Sequence, residues 1–334
     1  MKKILLIGTG GTIASKWTED GIAPQTTADE MLEYIPEIQA MCLVEALQLF
    51  NLDSTNIHDG HWCEMARCIR DRYRDYDGFI IAHGSDTMAY TAAALAYLIQ
   101  NSPKPVVITG SQKSICTRET DARTNLKDAF LYAASDFACG VHLVFDGKVI
   151  LGPRARKTRS KSYDSFSSID FPEAARILDG RMIRFINEKE DGSTPVFYDR
   201  MDPRVFVLKL FPGIKAEIIP LLKQHYHALV IESFGVGGVP SYERVDFLDV
   251  IEDWVSSGRI LAMSTQVPHE GINLELYKVG YAMKRKLDVL EAHNMTLEAA
   301  VTKLMWIMAQ TQDRQEIKAL FYKPVQKDIL LPMA

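Results

Sequence analysis

The sequence predicts an α/β protein of two domains, a larger N-terminal one on a mostly parallel sheet flanked by helices and a smaller C-terminal one. Three observations predict it. The short aliphatic runs Lys3-Ile4-Leu5-Leu6-Ile7, Gly78-Phe79-Ile80-Ile81-Ala82 and Pro105-Val106-Val107-Ile108-Thr109 read as strands buried on both faces. Each ends in a small polar loop, and helical segments alternate with the strands, as in a doubly wound sheet. The length, 334 residues with 47% apolar, is enough for two cores.

In chain order, the first strand stops at Gly8-Thr9-Gly10-Gly11-Thr12-Ile13-Ala14, where three glycines in four positions permit a tight turn and close approach of a ligand. Residues Ser15 to Gln25 are polar, with Asp20-Gly21 as a turn signal, and read as an exposed loop or a mobile lid. Thr27 and Glu30 form a capping-box pattern for a helix through Met31, Leu32 and Tyr34 that stops at Pro36. A strand-like run, Val44 to Phe50, leads into the polar loop Asn51 to Asn56. Trp62, Met65, Ala66, Ile69 and Tyr73 recur at helical spacing. The second buried strand ends in His83-Gly84-Ser85-Asp86-Thr87, where Asp86 or Thr87 can cap a helix from Met88 to Gln100. The third ends in Gly110-Ser111-Gln112, before a helix from Asp121 to about Ser135 and a strand Val141 to Phe145. Asp146-Gly147 is a hairpin turn into Val149-Ile150-Leu151.

Arg154, Arg156, Lys157, Arg159 and Lys161 form a basic stretch, read as a solvated face or a phosphate contact. Residues Asn187 to Pro203 are polar and turn-rich and suit a linker. The expected division is 1–190, a linker 191–212, and 213–334. The second, shorter α/β pattern begins at Val205 to Leu210. It continues with a helix Ala216 to about Gln224, a strand Ala228 to Ile231, the turn Gly235-Val236-Gly237-Gly238, and a helix Val245 to Ser256. A strand Arg259 to Met263 ends at Ser264-Thr265-Gln266, and Thr296 caps a helix Leu297 to Ala309.

A net charge of −5 argues against a nucleic-acid partner. Cys42, Cys63, Cys68, Cys116 and Cys139 are odd in number and lack paired zinc spacing, as expected of reduced thiols. The start has too few apolar residues for a signal-peptide core, and no run approaches a membrane span, so the cytoplasm is the expected compartment.

Three readings of the first loop stand side by side. Its glycines serve turn geometry alone. Or they begin a G-x-G-x-x-G dinucleotide fingerprint, which fails at Ile13 where the third glycine belongs. Or Thr12 is a nucleophile among backbone N–H groups that stabilise an oxyanion. The loops after the strands supply Thr12, Ser54 with Thr55, and Ser85, Asp86 and Thr87, while Lys157 lies further on. No histidine is placed for a Ser-His-Asp set, and His83 reads as a satisfied core or turn histidine. A lysine near a hydroxyl and a carboxylate can accept a proton where burial lowers its pKa. His58-x-x-His61 has no partner set for a metal.

Thr9-Gly10-Gly11-Thr12-Ile13-Ala14 and His83-Gly84-Ser85-Asp86-Thr87 resemble the two signature segments of the L-asparaginase/glutaminase family, most closely its bacterial cytoplasmic (type I) branch. Asp53-Ser54, Met88 to Thr91, Val107 to Gln112, Asp121 with Asn125, Gly235-Val236-Gly237 and Thr265-Gln266 follow in family order over essentially the whole chain. The resemblance implies the two-domain asparaginase/glutaminase fold and hydrolysis of the side-chain amide of L-asparagine to L-aspartate and ammonia. L-glutamine is left open as a second substrate. Thr12 would attack the carboxamide and carry the β-aspartyl ester that water then hydrolyses. Ser85, Asp86 and Lys157 would form the proton relay; Ser54 would hold the α-carboxylate and Asp86 the α-ammonium. Gly11, Asp53 and Thr55 complete the expected substrate-binding set. The resemblance also implies no metal or organic cofactor, and a homodimer or homotetramer with neither nucleic acid nor membrane as partner.

The sequence departs from the family pattern at four places. Ser85 stands where threonine is usual, with the hydroxyl kept; Ile22 stands in the lid where many members carry tyrosine, with Trp17 the lone aromatic nearby; Gly238 replaces a common asparagine. Glu232 and Val267 stand where the arginine and cysteine of an allosteric asparagine site are expected, and a glutamate cannot clamp a carboxylate, so no asparagine activation is expected there. Two other readings remain. One is the amidase subunit of a tRNA-dependent amidotransferase, against which stand the negative charge and a start only two residues before the first strand. The other is an amino-acid-binding protein without turnover.

Overall fold

The structure, a computed structural model, describes every residue except 19–20, 187–193, 242–246, 277 and 332–334. The side chains at 17, 18, 21, 22, 24, 278, 279 and 282 also lie outside the described residues, and with them the lid positions Trp17 and Ile22. The start of the expected linker falls outside too. The chain divides into two compact units, Met1–Asp199 and Arg200–Ala334.

The first unit opens with β1 (Lys3–Gly10), the antiparallel pair β2 (Ser15–Thr18) and β3 (Gly21–Pro24), and α1 (Ala28–Glu33). The Thr27 and Glu30 capping box forms as the sequence predicts. There follow β4 (Leu43–Leu52), α2 (Asp59–Arg72), β5 (Gly78–Ala82), α3 (Met88–Leu98), β6 (Ile99–Gln100), β7 (Pro105–Thr109) and α4 (Ala122–Ala133). The remaining strands of this unit are β8 (Gly140–Phe145), β9 (Lys148–Leu151), β10 (Ala155–Lys157), β11 (Phe166–Ser168), β12 (Ala175–Leu178), β13 (Arg181–Arg184) and β14 (Val196–Phe197).

Eight strands form one sheet in the order β13-β12-β9-β8-β7-β5-β1-β4. From β4 to β8 the neighbours are parallel, so the loops after β1, β4 and β5 leave the sheet at one edge. The direction reverses at Asp146-Gly147, where φ is 51° and 70°, the left-handed pair a tight two-residue hairpin requires. Ile4, Leu6, Ile80 and Val107 point to one face and pack with Met31, Leu126 and Phe130. Alternate side chains of a strand share a face, so this packing fixes the register and hence the heights of the loops.

The structure departs from the sequence expectation in two places that matter here. The helix expected to reach Gln100 ends at Leu98, because Ile99–Gln100 pairs antiparallel with Val196–Phe197. The basic stretch is not one solvated face. Arg154 is fully buried, and Lys157 is turned into a polar cluster described below.

The second unit carries a parallel sheet of β15 (Val205–Lys209), β16 (Ala228–Ser233), β17 (Ile260–Thr265) and β18 (Leu290–Glu291) in that order. Its helices are α5 (Ile218–Leu222), α6 (Phe247–Ser256), α7 (Lys278–Lys286), α8 (Leu297–Gln310) and α9 (Arg314–Tyr322). Thr296 caps α8 through Ala299 N–H, as its position predicts. Lys303 of α8 and Asp328 form a fully buried ion pair at 2.7 Å. Among the described residues no helix is long and apolar enough to cross a membrane. None of the five cysteines forms a disulfide among the described residues.

Candidate active site

The loop after β1 depends on glycine. Gly10 and Gly11 have φ of 97° and 79°, a region L side chains avoid. A Cβ on Gly11 would lie 2.2 Å from Gly84 Cα, so the loops after β1 and β5 touch backbone to backbone. A Cβ on Gly84 would in turn meet Ser54 Oγ at 2.7 Å. Three loops that the sequence separates therefore meet at Gly11, Ser54 and Gly84. The Gly11 N–H donates to Leu52 O at 2.8 Å and the Ser15 hydroxyl to Gly11 O at 3.0 Å, which fixes the loop on either side of Thr12. Thr12 begins a short 3₁₀ turn and is partly exposed; among the described residues nothing holds its hydroxyl.

The loop after β5 meets a lysine 72 residues away. Lys157 Nζ donates to Ser85 Oγ at 2.8 Å and to Asp86 Oδ1 at 2.7 Å. Ser85 is buried, the Lys157 side chain is only 15% exposed, and the Asp86 side chain is open to solvent. An ammonium has three donors and no acceptor. In its neutral amine form Lys157 Nζ has a lone pair that can accept the Ser85 hydroxyl proton across the same contact.

The loop after β4 is shaped by its own side chains. The Asp53 carboxylate accepts from Thr55 N–H at 2.8 Å and from the Thr55 hydroxyl at 2.7 Å, an Asx turn that starts the 3₁₀ segment carrying Ser54. Both residues are thus engaged with each other, and Ser54 is the buried member of the set.

His83 behaves as the core histidine its position suggests. It is fully buried, and burial pushes its pKa down to about 4. Trp62 Nε1 donates to Thr91 Oγ1 at 2.9 Å; Thr91 then donates to His83 Nε2 at 2.9 Å, and His83 Nδ1 donates to Gly84 O at 2.7 Å. The Gly84 carbonyl can only accept, so the proton of the neutral histidine sits on Nδ1 and Nε2 accepts from Thr91. His58 and His61 cap α2 reciprocally, each Nδ1 accepting a backbone N–H. Among the described residues no three histidine, cysteine or acidic groups are placed to hold a metal ion.

Of the predicted residues, the structure brings Ser85, Asp86 and Lys157 into direct contact and sets Gly11 and Ser54 against Gly84. Asp53 and Thr55 sit on the same loop as Ser54. Sequence reading did not anticipate the tie from Thr87 Oγ1 to Ser54 O at 2.7 Å, because residue spacing gives no sign of a contact between loops 33 residues apart.

Two family models account for this chain, one described as asparaginase, N-terminal over residues 3–191, the other as glutaminase/asparaginase C-terminal domain over residues 204–321. The chain belongs to the asparaginase family. An L-asparaginase of Thermococcus kodakarensis is 34% identical over 330 residues, spanning 98% of this chain and 99% of that one. The solved thermostable L-asparaginase from Thermococcus kodakarensis superposes with a TM-score of 0.92 at 33% identity, covering 99% of this chain and 100% of that one. A glutamyl-tRNA(Gln) amidotransferase subunit of Pyrococcus abyssi is 32% identical over 334 residues, 96% of this chain but 75% of that protein. The asparaginase fold thus accounts for both units.

Proposed function

We propose that the protein hydrolyses the side-chain amide of L-asparagine to L-aspartate and ammonia through an ester on Thr12. The observation that carries the reading is the contact of Lys157 with both Ser85 and Asp86 on the loop that packs against the Thr12 loop. Thr12 Oγ attacks the carboxamide carbon; its proton passes to Ser85 Oγ as the Ser85 proton passes to Lys157 Nζ in its neutral amine form, which delivers a proton to the departing nitrogen. Ammonia leaves, and a β-aspartyl ester remains on Thr12. Water then attacks the ester, restoring the Thr12 hydroxyl and releasing aspartate. Asp86, with its carboxylate open to solvent, receives the α-ammonium, while Ser54 and the backbone beside Gly11 receive the α-carboxylate. Asp53 and Thr55 shape the Ser54 loop. No metal or organic cofactor takes part, and the enzyme works in the cytoplasm as a homodimer or homotetramer. Glu232, buried with Lys209 Nζ 3.8 Å away, offers no anion clamp at the position where activation by asparagine would be exerted.

The amidotransferase reading is supported by the Pyrococcus abyssi relative named above, yet a net charge of −5 gives little attraction for a tRNA backbone. One assay separates the readings. The chain alone, without RNA or partner, is expected to release ammonia from asparagine; glutamine is measured beside it, because one methylene is worth only about 1–3 kcal/mol in a pocket. Tight aspartate binding with no ammonia from either amide would favour the non-catalytic binder instead.

A further inference from the structure

Ser54 and Asp86, which the proposed reaction uses to grip the two ends of the amino-acid backbone, stand on loops that no sheet hydrogen bond joins. Strand β1 lies between β4 and β5 in the sheet. The spacing of those loops must therefore be set above the sheet, across the end of β1. Two features do this. One is the close packing of Gly84 against both Gly11 and Ser54, which sets how closely the loops approach but supplies no directional bond. The other is the hydrogen bond from Thr87 Oγ1 to Ser54 O at 2.7 Å.

Thr87 occupies the N-cap of α3, where a threonine hydroxyl ordinarily accepts an N–H from the first helical turn. Here it makes no cap bond. Its hydroxyl is turned across to the neighbouring loop, so local helix stability does not account for it. The next residue back is Asp86, and the acceptor belongs to Ser54 itself, so this bond links the two gripping residues through one side chain.

We infer that Thr87 is a positioning residue that sets the distance between the carboxylate-binding and ammonium-binding loops, acting on substrate affinity without touching substrate. This rests on the asparagine-hydrolysing reading above. A neutral hydrogen bond contributes about 0.5–1.5 kcal/mol. Its loss is therefore expected to weaken binding of the amino-acid backbone by roughly two- to tenfold, both in the ground state and in the product complex.

The test compares Thr87→Val, which keeps the shape and removes the donor, with Thr87→Ser, which restores the donor. KM and kcat for L-asparagine are measured together with L-aspartate affinity by calorimetry and the melting temperature. Thr87→Val is expected to raise KM and the aspartate Kd by a common factor in the range of roughly two- to tenfold, with kcat within about threefold, and Thr87→Ser to return both to near the parent values. A merely structural role would lower kcat through loss of folded enzyme and leave KM unmoved, and that result overturns the inference. Thr87→Ala supplies the same reading where valine lowers the yield of folded protein. If the unaltered chain releases no ammonia and binds no aspartate, the functional reading itself fails and takes this inference with it. An active chain with unmoved KM in both Thr87→Val and Thr87→Ala sinks the inference alone.

Discussion

Both units set polar residues at the ends of parallel strands, and the two sets are used differently. In the second unit Ser233 Oγ donates to Ser264 O at 2.6 Å, Thr265 Oγ1 to Gly235 O at 2.5 Å, and Gln266 Nε2 to Leu210 O and Glu232 O at 2.6 and 2.9 Å. These side chains satisfy backbone carbonyls at the ends of neighbouring strands. In the first unit the Thr12 hydroxyl has no partner among the described residues, and Lys157 and Asp86 face each other at a partly open position. A strand-end hydroxyl becomes a candidate for chemistry when the fold leaves it unspent and brings ionisable groups to its neighbours.

The largest expected effects lie in the first unit. Thr12→Ala is expected to lower ammonia release by roughly a thousandfold or more, since the proposed nucleophile itself is lost. Lys157→Met should cost roughly a hundredfold or more in kcat, the scale of losing a positioned proton-transfer group, with the melting temperature nearly unchanged. Stopped kinetics and thermal melts on the same samples check both. The contrast would break if either variant kept full turnover.

In the second unit the expected effects are on stability. Lys303→Met removes the cation from the buried Asp328 carboxylate, which keeps the Val325 N–H at 2.8 Å, and should cost about 3–5 kcal/mol, read as a fall in denaturant midpoint. Ser233→Ala should cost about 1 kcal/mol and leave kcat within twofold, because among the described residues its hydroxyl serves Ser264 O alone.

Acid should separate the units as well. Burial pushes both His83 and His142 in the first unit down to about 4, below the unfolded value of about 6.5. The folded state therefore binds fewer protons than the unfolded one across that window. The associated stability is fully present above about pH 6.5 and is lost as the pH falls toward 4, on the order of 3 kcal/mol for each histidine. In the second unit His293 is shifted the same way by burial but is only partly buried. Hydrogen exchange on acidification should deprotect β5 and β8 before β16 and β17; the reverse order would contradict the comparison.

The strands legible in the sequence are those with both faces buried. Gly78–Ala82 and Pro105–Thr109 follow from it residue for residue, because a run of aliphatic residues between glycine, proline and a polar turn has one plausible structure. The sheet edge is not legible. β12 and β13 carry Arg176, Arg181 and Arg184 beside the half-exposed Ile183, a pattern with neither a buried run nor clean alternation. The end of α3 is also hidden, since Ile99 leaves the helix to pair with Phe197 far along the chain. At the site, the glycines around Thr12 announce themselves by composition. Lys157 does not: within a basic run nothing local separates it from Arg159, and only the resemblance to the family joins it to Ser85 and Asp86. The Thr87 tie has no signal at all, because a threonine before a helix reads as a cap.

Whether Thr12 carries the acyl group can be examined directly. The protein is mixed with L-asparagine, quenched in acid during turnover, digested and analysed by mass spectrometry, with Thr12→Ala treated in parallel. An aspartyl group esterified to Thr12 is expected in the unaltered chain and none in the variant. Ammonia released in full with no adduct at Thr12, or an adduct on another residue, would contradict that expectation.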